Sequence, residues 1–163
     1  MIQESMQQIG EAGALLNPFP GLRPFELHEN YLFFGRDGLS LRLIEKLERT
    51  RFLAVVGTSG SGKSSLVRAG MLPALLGGMM EEAGSRWRVA IMRPGNDPIG
   101  NLARALCSGD ALGDRISQED RELHPPLTEA ALRRGSLGLI EAAQQGRLHP
   151  DENLLVIADQ FEE

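Results

Sequence analysis

At 163 residues, with 42% hydrophobic content, a formal charge of −5 and a pI near 5.3, the chain is long enough for one domain with a real core and has no general attraction for nucleic acid. Its single cysteine, Cys107, excludes an internal disulfide and reads as a buried helical thiol rather than a nucleophile, and His28, His124 and His149 are scattered without metal-ligand spacing. The apolar stretch 71–80 is broken by Pro73 and Gly77-Gly78, and no basic region precedes an apolar core at the N-terminus, so neither a membrane span nor a signal peptide is expected and the cytoplasm is the expected location.

Residues 1–16 are weakly patterned and read as a disordered leader ahead of a domain over 17–163. Pro18, Pro20 and Pro24 make the next stretch extended, and the interleaved Phe19, Leu22 and Phe25 predict a strap lying on the domain surface. Asp37 can cap a helix with Leu39, Leu43 and Leu47 on one face, ending near Arg49-Thr50. Residues 51–56 then form an apolar, β-rich run, predicted to be a strand, that leads directly into Gly57-Thr58-Ser59-Gly60-Ser61-Gly62-Lys63-Ser64.

That octapeptide is a complete G-x-x-x-x-G-K-[ST] phosphate-binding loop, for which a chance match in this composition comes to roughly 1 in 500. Such a cradle turns backbone N–H groups inward around an anion. It needs glycines free to take positive φ, here Gly57, Gly60 and Gly62, followed by a helix N-terminus, here Lys63-Ser64-Ser65 onward. The chain has fifteen arginines and only two lysines, Lys46 and Lys63, so a slim point charge stands where a wide guanidinium would not fit between β- and γ-phosphates. The helix behind the loop is expected to stop or kink at Pro73.

A second strand is predicted over 87–92, and Asp97 followed by Pro98 gives a capped helix start with Ile99, Leu102 and Leu106 facing the core. Residues 108–127 read as an aperiodic surface excursion, and 136–145 as a helix closing at Gly146. The uninterrupted apolar run 154–158 predicts a buried parallel strand whose C-terminal end carries Asp159, where α/β sheets place their ligands. This has the form of a Walker B segment, with Asp159 and Ser64 as the Mg²⁺ residues and Glu162 or Glu163 as the candidate for polarising an attacking water. Lys63, Glu162 and Glu163 are the expected catalytic set.

The segments 17–25, Phe33-Phe34-Gly35-Arg36-Asp37, 52–70, Arg93-Pro94-Gly95 and Asp159-Gln160-Phe161-Glu162-Glu163 together resemble the novel STAND NTPase 1 domain, in order and over residues 17–163. The resemblance implies a P-loop three-layer α/β sandwich with a mainly parallel sheet, related to the AAA+ group. It implies a signal-transduction ATPase that holds ADP when silent and exchanges it for ATP to oligomerise, with WD40 or other repeats downstream sensing a protein partner. Residues Gly57 to Ser65 would bind the nucleotide, and Phe34, Gly35 and Arg36 would line its adenine side. One departure is that the family usually continues with an acid-rich helix start after Gly-Arg-Glu, whereas here Asp37-Gly38-Leu39-Ser40 follows Gly35-Arg36. The separation of Asp159 from Glu162 and Glu163 is similar to the NACHT-like pattern and implies slow hydrolysis.

In the family a further strand, inserted between the phosphate-loop strand and the Walker B strand, carries a polar sensor and precedes a helical lid. These elements would lie beyond Glu163, so the chain reads as truncated after the Walker B segment, with an incomplete sheet and little turnover alone. The alternatives are a nucleotide-binding scaffold without hydrolysis and an inactive fragment of a longer ATPase.

Overall fold

The computed structural model describes residues 20–80, 84–117 and 119–161, so the leader expected over 1–16, Phe19 in the strap, and Glu162 and Glu163 lie outside the described residues. The strap is held at its C-terminal end. Arg23 forks onto Glu29 in the short 3₁₀ helix Leu27–Leu32 with contacts of 2.6 and 2.5 Å, and the Phe25 N–H donates to Ser65 Oγ at 3.1 Å. The Phe25 ring meets Phe33 edge-on at 5.9 Å, whereas Leu22 points fully into solvent rather than packing as its spacing suggested.

Helix α1 (Asp37–Thr50) ends where expected, at an Arg51 in the left-handed conformation with φ 54°. Asp37 does not cap it. Arg36 occupies the cap position and Asp37 the first turn, where its charge suits the helix dipole. The inward face is Ser40, Ile44 and Leu47, with Leu39 turned outward.

The second helical element, α2, joins three consecutive windings: Lys63–Ser65, a π-wound Leu66–Met71, and Leu72–Leu76. Of the stop or kink expected at Pro73, the stop does not occur. Pro73 lies in the first turn of the last segment, and the Leu72 N–H bonds five residues back to Val67 O. Widening the helix there removes the clash between a proline ring and the carbonyl one α-turn earlier.

Strands β1 (Trp87–Met92) and β2 (Asn153–Ala158) run parallel, in register from Trp87 opposite Asn153 to Met92 opposite Ala158. Parallel neighbours need a long crossover, supplied here by α3 (Pro98–Leu106), α4 (His124–Arg133) and α5 (Gly138–Gln145). Asp97 caps α3 as its sequence predicts, its carboxylate accepting from the Gly100 N–H at 3.1 Å. The 108–127 stretch is not a bare surface excursion: Ala111 and Leu112 are buried, pinned when Val89 N donates to Asp110 O at 3.0 Å, and α4 begins at His124 with Pro125 and Pro126 in its first turn. Two prolines read as breakers, but first-turn positions have no intrahelical N–H to lose.

Side chains alternate across the two strands. Val89, Leu155 and Ile157 pack with Ile44, Leu47, Met71, Leu72 and Leu75 of α1 and α2, and Ala90, Leu154 and Val156 pack with Leu106, Leu112 and Ala142 on the side of α3 and α5. The expected three-layer sandwich is thus met in part, with helices on both faces but, among the described residues, two parallel strands rather than three. Residues 51–56 are the shortfall. Leu53 turns into the core, while Phe52 (76% exposed) and Val56 (90%) turn out, so the local alternation of a strand is present. A strand also needs a neighbour to supply its ladder, and among the described residues none pairs with this segment or with the second edge of β2.

Candidate functional site

The loop that closes on Gly62 has the geometry its residue types dictate. Gly60 and Gly62 take φ of +74° and +81°, which side chains rarely tolerate. Gly57 does not share that conformation. Its missing Cβ instead leaves room for Ser61 Oγ, which would stand 3.1 Å from it, and for the Lys63 stem. Lys63 Nζ donates to the carbonyls of Gly57 at 2.9 Å and Thr58 at 3.1 Å, and Ser61 N closes the turn on Thr58 O at 3.2 Å. Ser59 stands at the exposed rim. Gly62 brings no capping side chain to α2, and the N-terminus of a helix is where an anionic acceptor is favoured.

The Ser64 hydroxyl donates to Asp159 Oδ1 at 2.6 Å, joining two residues that are ninety-five positions apart in the chain. Asp159 is placed by the sheet: its own N–H continues the ladder onto Met92 O at 2.8 Å. Ser65 turns the other way and receives the Phe25 N–H, so its hydroxyl ties the strap to the helix. Arg36 reaches the loop directly, Nη1 donating to Ser61 O at 2.9 Å, while Gly35 takes φ +82° and Phe34 is 79% exposed beside it. The structure therefore brings Arg36, the loop, Ser64 and Asp159 together.

Two residues of the cluster escaped the sequence reading. Arg68, one turn beyond Ser64, donates from Nη2 to Asp159 Oδ2 at 2.8 Å and from Nη1 to Glu26 Oε1 at 2.7 Å. The available signal was a lone charge inside the apolar run 66–72. Glu26 had no local signal, since its role depends on the strap crossing α2.

The electrostatics are dominated by paired guanidinium groups. The Arg23 fork, followed by the Glu26 N–H, holds the Glu29 carboxyl down from 4.5 to about 2. Arg88 on β1 is raised above its ordinary value by its bond to Asp114 at 2.8 Å and then by Glu152 at 3.1 Å, with burial opposing. Arg68 and Arg88 line a cavity of about 940 Å³ with Glu26, His28 and Glu152, between α2 and β1.

Ser64 and Asp159 offer hard oxygen donors, the chemistry a Mg²⁺ ion demands. No group of three or more His, Cys, Asp or Glu side chains converges among the described residues, so an ion there would take its remaining ligands from phosphate and water. No helix among the described residues is long and apolar enough to cross a membrane. No curated protein and no solved structure matches the chain. The family model of Novel STAND NTPase 1 does match it, over residues 18–163, and the chain belongs to that family.

Proposed function

We propose that this chain carries the Mg²⁺-dependent ATP site of a signal-transduction switch. The observation that carries the reading is the loop 57–62 folded around Lys63, with Ser64 hydrogen-bonded to Asp159 immediately behind it. The β- and γ-phosphates would take the first amides of α2, from Lys63 to Ser65, and draw Lys63 Nζ from the loop carbonyls to themselves. Ser64 and Asp159 would hold Mg²⁺, which when bound neutralises phosphate charge. Arg36, bonded to Ser61 O, ties the Phe34-Gly35-Arg36 segment to the loop, and this supports its assignment to the adenine side. Glu162 or Glu163 would orient the attacking water. Membership of the STAND NTPase family supports the wider reading, in which ADP-bound and ATP-bound forms differ in assembly and partners are sensed by other parts of the protein.

Equilibrium binding tests it. ATP should bind more tightly than GTP, and EDTA should weaken it. Lys63→Ala should weaken binding ten- to hundredfold, on the order of 1.5 to 3 kcal/mol for a lost charge-assisted contact. Equal affinity for GTP, indifference to EDTA, or unchanged binding by the variant would overturn the reading.

A further inference from the structure

Arg68 has no part in the chemistry just described, yet it is built into its centre. The side chain is 13% exposed, Nη1 and Nη2 are shared between Glu26 and Asp159, and Nε is buried with no hydrogen-bond acceptor. A guanidinium shielded from water and short of one acceptor is costly, and it stays in place only while its carboxylates hold it. Asp159 is meanwhile occupied at both oxygens, Oδ1 by the Ser64 hydroxyl and Oδ2 by Arg68. A cation or its water shell drawing on this carboxylate would therefore compete with a guanidinium already paired to it.

The guanidinium has somewhere to go. Arg68 lines the 940 Å³ cavity together with Glu26 and Glu152, and Glu26 is already one of its acceptors. Glu26 belongs to a segment fastened to α2 beside it by the Phe25 N–H on Ser65 Oγ and braced within itself by Arg23 on Glu29 in the following 3₁₀ helix. A change in how Arg68 divides itself between Asp159 and Glu26 is therefore a change in how firmly the strap is held.

We propose that Arg68 is the resident counter-charge of Asp159, displaced from it when a divalent cation enters and handed to Glu26, so that cation loading of the site is transmitted to residues 20–36. The inference rests on the reading of Ser64 and Asp159 as a cation site. Two cations cannot share one carboxylate oxygen without strong repulsion in a half-buried setting. Glu26 retains the guanidinium within the same cluster, so the exchange strands no buried charge.

The test uses the full chain with saturating ADP and Mn²⁺ as the probe. Bound Mn²⁺ is followed by electron paramagnetic resonance, and the strap by amide hydrogen exchange over residues 20–36. In the unmodified protein Mn²⁺ should slow exchange at residues 25–29 as Arg68 turns to Glu26. Arg68→Gln should raise Mn²⁺ affinity about tenfold, the scale of one charge-assisted contact removed from competition, and abolish the Mn²⁺ effect on the strap. Glu26→Gln, at a side chain 38% exposed, should lower Mn²⁺ affinity and also abolish that effect. Strap exchange indifferent to Mn²⁺ in the unmodified protein, or Mn²⁺ affinity unchanged or lowered in Arg68→Gln, would make Arg68 a fixed support and overturn the proposal while ADP is still retained. Failure of the unmodified protein to retain ADP would overturn the nucleotide reading beneath it as well.

Discussion

Glu29 shows how much one carboxylate can do when its hydrogen-bond donors are prearranged. Arg23 and the Glu26 N–H hold it at about 2 against 4.5 for an ordinary glutamate. A carboxyl group depressed in the folded state stabilises that state fully above its unfolded value, and the contribution fades as pH falls from 4.5 toward 2. The strap should accordingly loosen in acid while the helical layers hold. A carboxyl-carbon NMR titration should place the Glu29 midpoint near 2 and, in Arg23→Met, return it toward the ordinary range; a midpoint near 4.5 in the unmodified protein would show that the fork does not form in solution.

Between elements, α1 and the residues following the strap helix approach α2 closely at Gly70. A Cβ on Gly70 would collide with Ser40 Oγ and come within 3.2 Å of the Phe33 ring, and Ser40 is itself buried, its hydroxyl 3.4 Å from Arg36 O. Gly70 is therefore a contact glycine on the π-wound turn. Gly70→Ala should cost about 1–3 kcal/mol, the usual scale of overpacking, read as a lowered thermal midpoint. Because the nearest obstacle is the Ser40 hydroxyl, Ser40→Ala in the same chain should recover most of the loss. Full stability of the single variant would mean that α1 and α2 separate easily. Displacing α1 would also draw Arg36 away from Ser61, so the loop 57–62 should feel the change.

For the molecule as a whole, the notable feature is an unsatisfied sheet. Among the described residues β2 is paired on one edge only, and residues 52–56 have no strand partner, with Phe52 and Val56 in solvent. Open edges beside exposed apolar side chains are templates for pairing with another chain. The 163-residue chain studied alone should therefore associate, its size-exclusion elution moving to larger apparent mass as concentration rises. Phe52→Lys should shift it back toward monomer, since an edge lysine resists stacking. A monomer at every concentration would show that the edge is protected.

The sequence by itself determined what rests on neighbours along the chain. The positive-φ glycines at 60 and 62, the Asp97 cap, the ends of α1 and α5, and the apolar runs of β1 and β2 all follow from local preference and period. The glycine-rich loop 57–64 was legible for the same reason, its eight residues being consecutive in the chain. Tertiary structure decided whatever needs a distant partner. It withheld strand status from 51–56, where alternation is present but no ladder is supplied, and it buried Ala111 and Leu112 within a stretch that reads as loop. It carried α2 through Pro73 by unwinding one turn into a π helix. It also set Arg68 between Asp159 and Glu26, a grouping of residues from three separate segments that only the strap, α2 and the end of β2 together could make, because a buried charge can be placed only where its counter-charges arrive from elsewhere in the fold.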